Sequence, residues 1–182
     1  MKDHIVVSIR ITIALLVITC GVYPVLVWGI GQIAFHHEAN GSLITSSGRV
    51  IGSELIAQSF SRDRYFHSRP STVDYDGMNS GGSNLGPTAK KLVDSISTRL
   101  KDIPARPAPA DAVTASASGL DPHVSPANAL LQASRVARAR GIDESRLRAL
   151  IDAHTERRFL GVFGEPRVNV LLLNLALDRG VS

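Results

Sequence analysis

The chain has 182 residues, 44% apolar and 20% charged, which places it among folded proteins with one hydrophobic core rather than disordered or fibrous chains. Its 20 Lys and Arg exceed the 16 Asp and Glu by only four and are spread along the chain, so composition does not point to nucleic acid. The lone cysteine, Cys20, excludes an intrachain disulfide and any zinc site built on two or more thiolates.

From Ile11 to Phe35 there is no Asp, Glu, Lys, Arg or His. As a helix this stretch covers about 37 Å, more than the ~30 Å of bilayer hydrocarbon. A helix is also the one open-ended way to satisfy a backbone in lipid. The organisation expected is a short tail over residues 1–10, a transmembrane helix over 11–35 and one soluble domain over 36–182. Pro24 predicts a kink, and Gly21, Gly29 and Gly31 let a neighbouring helix approach. Gly21 and Pro24 are therefore candidate contacts with a membrane partner. Trp28 falls where the outer interface should lie. A cleaved signal peptide would use Gly29-Ile30-Gly31, but its apolar region is normally about 7–15 residues, shorter than this run. A lipid anchor at Cys20 is the other alternative; Thr19 suits it poorly, and the apolar run continues past it. Lys2 and Arg10 precede the span, and only Arg49 is basic in the next 20 residues, so the positive-inside rule puts the tail in the cytoplasm and the domain outside. Setting aside Lys2, Arg10 and Asp3 from the 20 basic and 16 acidic residues leaves 18 against 15, too small a surplus to steer ions.

Beyond the span, Ser42–Thr45 and Arg49–Ile51 joined through Ser46-Ser47-Gly48 predict a hairpin continuing through Leu55-Ile56. Residues 58–84 read as loop. A helix is expected from about Pro87, with Ala89, Leu92, Val93, Ile96 and Leu100 on one face. Lys101–Ala110, with three prolines, is a connector, and Asp111–Ala115 a strand. Ser125-Pro126 caps and opens a helix that ends at Gly141. Asp143 caps the next, which carries Leu147, Leu150 and Ile151. The apolar run Val168–Leu177 predicts a buried final helix. The fold class is α+β, with a single N-terminal membrane helix and one mixed soluble domain.

Four segments invite a chemical reading. Ser80-Gly81-Gly82-Ser83-Asn84-Leu85-Gly86-Pro87 precedes a helix, where amides can cradle an anion, yet it lacks the Gly-Lys-Ser/Thr ending of a P-loop. Leu85 also spoils a Gly-x-Ser-x-Gly elbow, and a tight turn accounts for the pattern. Ser118, Asp121 and His123 are too close in sequence for triad geometry and read as turn and cap chemistry. His123 has no second His at ligand spacing, and His36-His37-Glu38 marks the membrane boundary. Arg64-Tyr65-Phe66-His67-Ser68-Arg69-Pro70 mixes cations with rings, so Tyr65, Phe66 and Arg69 are candidate contacts with a partner protein rather than a nucleic-acid surface. Arg135, Arg138, Arg140, Arg146 and Arg148 crowd one region, as a solvated face or an anion site. None of these is a convincing catalytic constellation.

Tyr23-Pro24, Ala39-Asn40-Gly41-Ser42-Leu43, Gly52 to Phe60, Tyr65 to Ser71, Ser80 to Pro87, Val113 to Ala127 and Gly164 to Leu171 run in the order found in the KdpC family, with Ala117 where that family usually has glycine. The chain resembles the C subunit of the bacterial Kdp potassium-transporting P-type ATPase over nearly its whole length. The resemblance implies an accessory, non-catalytic subunit of an inner-membrane potassium importer. It implies as partners a channel-like A subunit, an ATP-hydrolysing B subunit and, where present, a small F subunit. It also implies a catalytic chaperone that raises the ATP affinity of the B subunit, with Gln132 in the place of the proposed nucleotide contact and Arg135 one turn on. No intrinsic cofactor is implied, and ATP enters only through the family. The chain has no Asp-Lys-Thr-Gly phosphorylation motif. The charge rule sets the domain away from cytoplasmic ATP, which conflicts with direct contact; an outer domain capping the A subunit near the potassium entrance resolves the conflict. A membrane-anchored hydrolase using Ser83 or Ser118, and a stand-alone nucleotide-binding chaperone, are the alternatives.

Overall fold

A computed structural model describes residues 2–46, 48–103 and 107–180. One continuous helix of 33 residues, Lys2–Ala34, opens the chain and begins within the expected tail. It consists of α1 (Lys2–Leu16), a π-helical turn (Val17–Val22) and α2 (Tyr23–Ala34). Pro24 explains the widened turn: it has no N–H to donate, and its ring crowds the carbonyl four residues back. Tyr23 N–H accordingly donates to Ile18 O, a five-residue step. The helix runs on through this π turn to Ala34. No residue of this helix is buried. A single turn, α3 (His36–Ala39), follows, where Asn40 Nδ2 donates to Gln32 Oε1 at 3.2 Å. Contacts divide the chain into Met1–Leu43 and Ile44–Ser182.

A hairpin of β1 (Leu43–Ser46) and β2 (Arg49–Ser53), which lies in the second unit from Ile44 on, comes first; Ser47 lies outside the described residues. The strand stops at Ser53 instead of reaching Ile56, because Ser53 Oγ accepts from Leu55 N at 3.1 Å and turns the chain. Residues 54–89 contain no helix or strand. Helix α4 (Lys90–Lys101) begins after Ala89, slightly later than expected; Leu92, Ile96 and Leu100 are half-buried, but Val93 stays exposed. Within the proline connector, residues 104–106 lie outside the described residues.

The strand expected at Asp111–Ala115 is instead a helical turn, α5 (Ala110–Val113). A tertiary contact overrides local propensity there. Asp111 accepts from Ser125 N at 2.7 Å, Ser125 Oγ at 2.9 Å and Asn128 Nδ2 at 3.1 Å, a carboxylate at the positive end of the next helix. That helix, α6 (Pro126–Arg140), is capped by Ser125, which accepts from Asn128 N, and ends at left-handed Gly141 (φ 68°). Helix α7 (Glu144–Ala153) is capped by Asp143. Short strands β3 (His123–Val124), β4 (Thr155–Glu156) and β5 (Arg167–Asn169) form an antiparallel sheet in the order β3-β5-β4, with Val168 opposite both Val124 and Thr155.

The apolar run 168–177 therefore starts as a strand, and only then becomes α8 (Val170–Gly180). Asn169 makes the switch: its Oδ1 accepts from Leu171 N at 3.1 Å and Leu172 N at 3.2 Å, capping α8. The core gathers Ala129, Ala133 and Val136 of α6, Leu147 and Ile151 of α7, Leu173 and Leu177 of α8, Val168 of β5, and Phe66 from the loop. The alanines bring α6 close to its neighbours.

Candidate functional site

The segment Asp63–His67 lies against α6 and α8 without belonging to any strand. Its backbone groups still need partners, and side chains supply them. Asn174 of α8, 2% exposed, accepts from Phe66 N at 2.8 Å and donates to Phe66 O at 2.9 Å. Gln132 of α6 does the same for His67, accepting at 2.7 Å and donating at 3.0 Å. Arg135 donates to Asp63 O at 2.7 Å, Tyr65 O at 3.0 Å and Gln132 Oε1 at 2.8 Å. Arg140 donates to Arg64 O at 2.7 Å and to Asp178 at 2.6 Å. Each side-chain amide mimics the peptide of a neighbouring strand. Helical spacing makes this possible, since Asn128 and Gln132 lie four apart and bond at 3.1 Å, while Arg135 follows one turn later.

This clamp fixes the candidate residues. Phe66 is fully buried in the core, so its ring has no outward face for a partner; the contact expected there is corrected to a packing role. Tyr65 is half-buried, its hydroxyl donating to Asp178 at 3.0 Å and its ring lying 5.0 Å from the Arg140 guanidinium. Arg69 donates to Asp121 at 3.0 Å. Gly21 and Pro24 lie on the exposed N-terminal helix, and a Cβ at Gly21 would meet nothing within 4 Å.

Beside the clamp opens a cavity of about 610 Å³ lined by Gln132, Arg135, Arg99, Arg138, His67 and Tyr75, among others. Among the described residues, Asp102 is the one acidic member of that lining. Burial, reinforced by the Arg135 charge, lowers the His67 pKa. Burial raises the Tyr75 pKa, and its hydroxyl donates to Arg69 O at 2.9 Å. Three guanidinium groups in one concavity suit a multiply charged anion. Sequence reading located Gln132, Arg135 and Arg138 but not Arg99 or Tyr75, which come from α4 and the loop. It also missed Asn174, although a lone amide inside an apolar helix demands a partner and was the available signal.

The Ser118–Asp121–His123 cluster is structural. Ser118 Oγ lies 3.1 Å from Ser116 Oγ and accepts from Leu120 N, whereas the His123 ring faces Asp121 and Glu156. Burial would raise the Asp121 pKa, but the His123 ring and N–H and the Arg69 guanidinium outweigh it and hold the carboxyl at about 2. Arg69, at 3.0 Å, is the firmer partner, since the His123 ring nitrogen stands off at 3.6 Å. The Ser80–Pro87 loop is seated by Gly81 N donating to Ser118 O at 2.8 Å. At Gly82 a Cβ would come within 2.6 Å of Ala117 O, so glycine serves close packing there. Among the described residues no three His, Cys, Asp or Glu side chains form a metal-holding group.

The family described as K+-transporting ATPase, c chain, matches residues 5–179. A Koribacter versatilis protein named potassium-transporting ATPase KdpC subunit is 50% identical over 184 residues, covering 98% of this chain and 95% of that relative. Proteins of the same name from Myxococcus xanthus and Rhodospirillum rubrum are 51% and 53% identical, covering 98% and 91% of this chain and 89% and 90% of their own lengths.

Proposed function

The chain belongs to the KdpC family of potassium-transporting ATPase C chains, and from that membership we propose that it is an accessory, non-catalytic subunit of an ATP-driven potassium importer in a bacterial inner membrane. In this reading α1 and α2 span the membrane, with Gly21 and Pro24 against the channel-like A subunit. The domain stands on the outer face and governs assembly or the access of potassium to the A subunit. ATP hydrolysis belongs to the B subunit. The observation that carries the reading is the Lys2–Ala34 helix: its mean hydropathy reaches 2.5 and none of it is buried by its own chain. Such a surface requires lipid or another membrane helix as solvent. Lys2 and Arg10 at its start favour a cytoplasmic N-terminus.

Sidedness is the decisive test. Met78, 92% exposed, becomes a probe as Met78→Cys in a Cys20→Ala background. Labelling by a membrane-impermeant maleimide in intact cells is expected; labelling only after lysis rejects the outer placement.

The cationic cavity beside Gln132 favours a second reading, in which the domain binds nucleotide and raises the ATP affinity of the B subunit. It requires ATP to bind the full chain in detergent and Arg99→Ala with Arg138→Ala to weaken binding at least tenfold. Gln132→Ala is a poor probe for it, because that change also unclamps His67.

A further inference from the structure

The connection between β4 and β5 carries the densest exposed apolar patch of the domain. Phe159, Leu160, Val162 and Phe163 are 71%, 76%, 70% and 64% exposed, and none joins the core. Four large apolar side chains within five residues exceed the scattered exposure normal for a surface.

The patch is carried on a hydrogen-bonded turn. Phe159 N donates to Phe163 O at 2.8 Å, and Phe163 N donates back to Phe159 O at 2.9 Å. Leu160 (φ 52°) and Gly161 (φ 75°) turn the chain in the left-handed region. For a leucine that conformation is strained, and it presents the side chain outward instead of relieving the strain.

Charge decides what covers the patch. Of the arginines that flank the tip in sequence, Arg158 is paired with Glu165 at 2.8 Å and Arg167 with Glu156 at 2.8 Å, whereas Arg157 has no ion pair among the described residues. A surface built to hold anionic lipid headgroups keeps several cations unpaired. Aromatic anchors inside a rim of neutralised pairs match a protein–protein hot spot, and the preformed turn spares the ordering cost of docking.

We propose that the Phe159–Phe163 tip is a plug that seats in an apolar pocket of another subunit of the ATPase, with a carboxylate of that subunit facing Arg157. The proposal rests on the chain's acting as a subunit, but not on the side of the membrane its domain occupies. The Met78→Cys labelling reports sidedness separately, so either idea can fail alone.

The test places a photo-crosslinking amino acid at Val162 in the assembled complex, in bilayer discs that contain anionic lipid, with the same probe at Met78 as control. A cross-link to a different subunit is expected. Cross-links to lipid only, to a second copy of this chain only, or no more than at Met78 overturn the proposal. Phe159→Ser with Phe163→Ser should lower the yield at least tenfold without shifting the thermal unfolding midpoint. Arg157→Glu, at an exposed residue whose side chain has no ion pair or hydrogen bond among the described residues, should lower it severalfold. Unchanged yield in both variants overturns the plug.

Discussion

The N-terminal helix and the loop over residues 58–84 meet the same demand in opposite ways. Both carry backbone N–H and C=O groups that need partners. The helix does so within itself, one turn to the next, so it needs no side chain from elsewhere and buries none of its own. The loop has no ladder, and Asn174, Gln132, Arg135 and Arg140 reach across from α6 and α8 to stand in for one. The helix's backbone bonds thus do not depend on side chains from elsewhere, and those of Asp63–His67 do. A site carried on such a loop is only as well formed as the distant side chains that hold it.

The sharpest break of this contrast is Phe66→Ala, which removes a fully buried ring from the centre of the loop. It should cost about 4 kcal/mol, read as a thermal midpoint lower by about 10 °C in circular dichroism of the full chain in micelles. Next comes Asn174→Leu, similar in size but unable to pair with Phe66 N–H and C=O. About 3 kcal/mol should be lost, and a midpoint within a degree of the parent would disprove the substitute-strand role.

Acid separates the two regions further. The Asp121 carboxyl titrates at about 2 in the fold, below its ordinary value of about 3.9. Its stabilisation is therefore complete above about pH 4 and is lost as pH falls toward 2; it amounts to about 2 kcal/mol. Asp121→Asn should remove it at neutral pH and flatten stability across that acid window, as read by urea midpoints at a series of pH values. The smallest effect belongs to the helix. Pro24→Ala should let the π turn relax to α-helix and leave the domain's midpoint within about 0.5 kcal/mol; a larger shift would mean that the two regions are coupled.

Much of the secondary structure was legible in advance. Ser125-Pro126, Gly141 and Asp143 marked helix ends correctly because caps are local hydrogen-bond chemistry acting within a few residues. The strands β3, β4 and β5, of two or three residues, were invisible, being too short to show a period of two. Asp111 misled because its carboxylate answers to Ser125 and Asn128 rather than to its own neighbours. At the candidate site, family resemblance pointed to Gln132 and Arg135, and the local arginine cluster to Arg138. Neither disclosed that Gln132 and Arg135 hold a loop, since their partners lie 65 to 72 residues away in the chain.

Whatever depends on neighbours along the chain was written in the residues: an apolar run long enough to cross a bilayer, the helix caps, and the first hairpin. Whatever depends on residues brought together from afar came only with the packed domain: the clamp on Asp63–His67, the cationic cavity between α4 and α6, and the core place of Phe66. The division follows from range. Helical hydrogen bonds and caps close within about four residues, whereas buried polar groups take whichever partner the tertiary fold delivers.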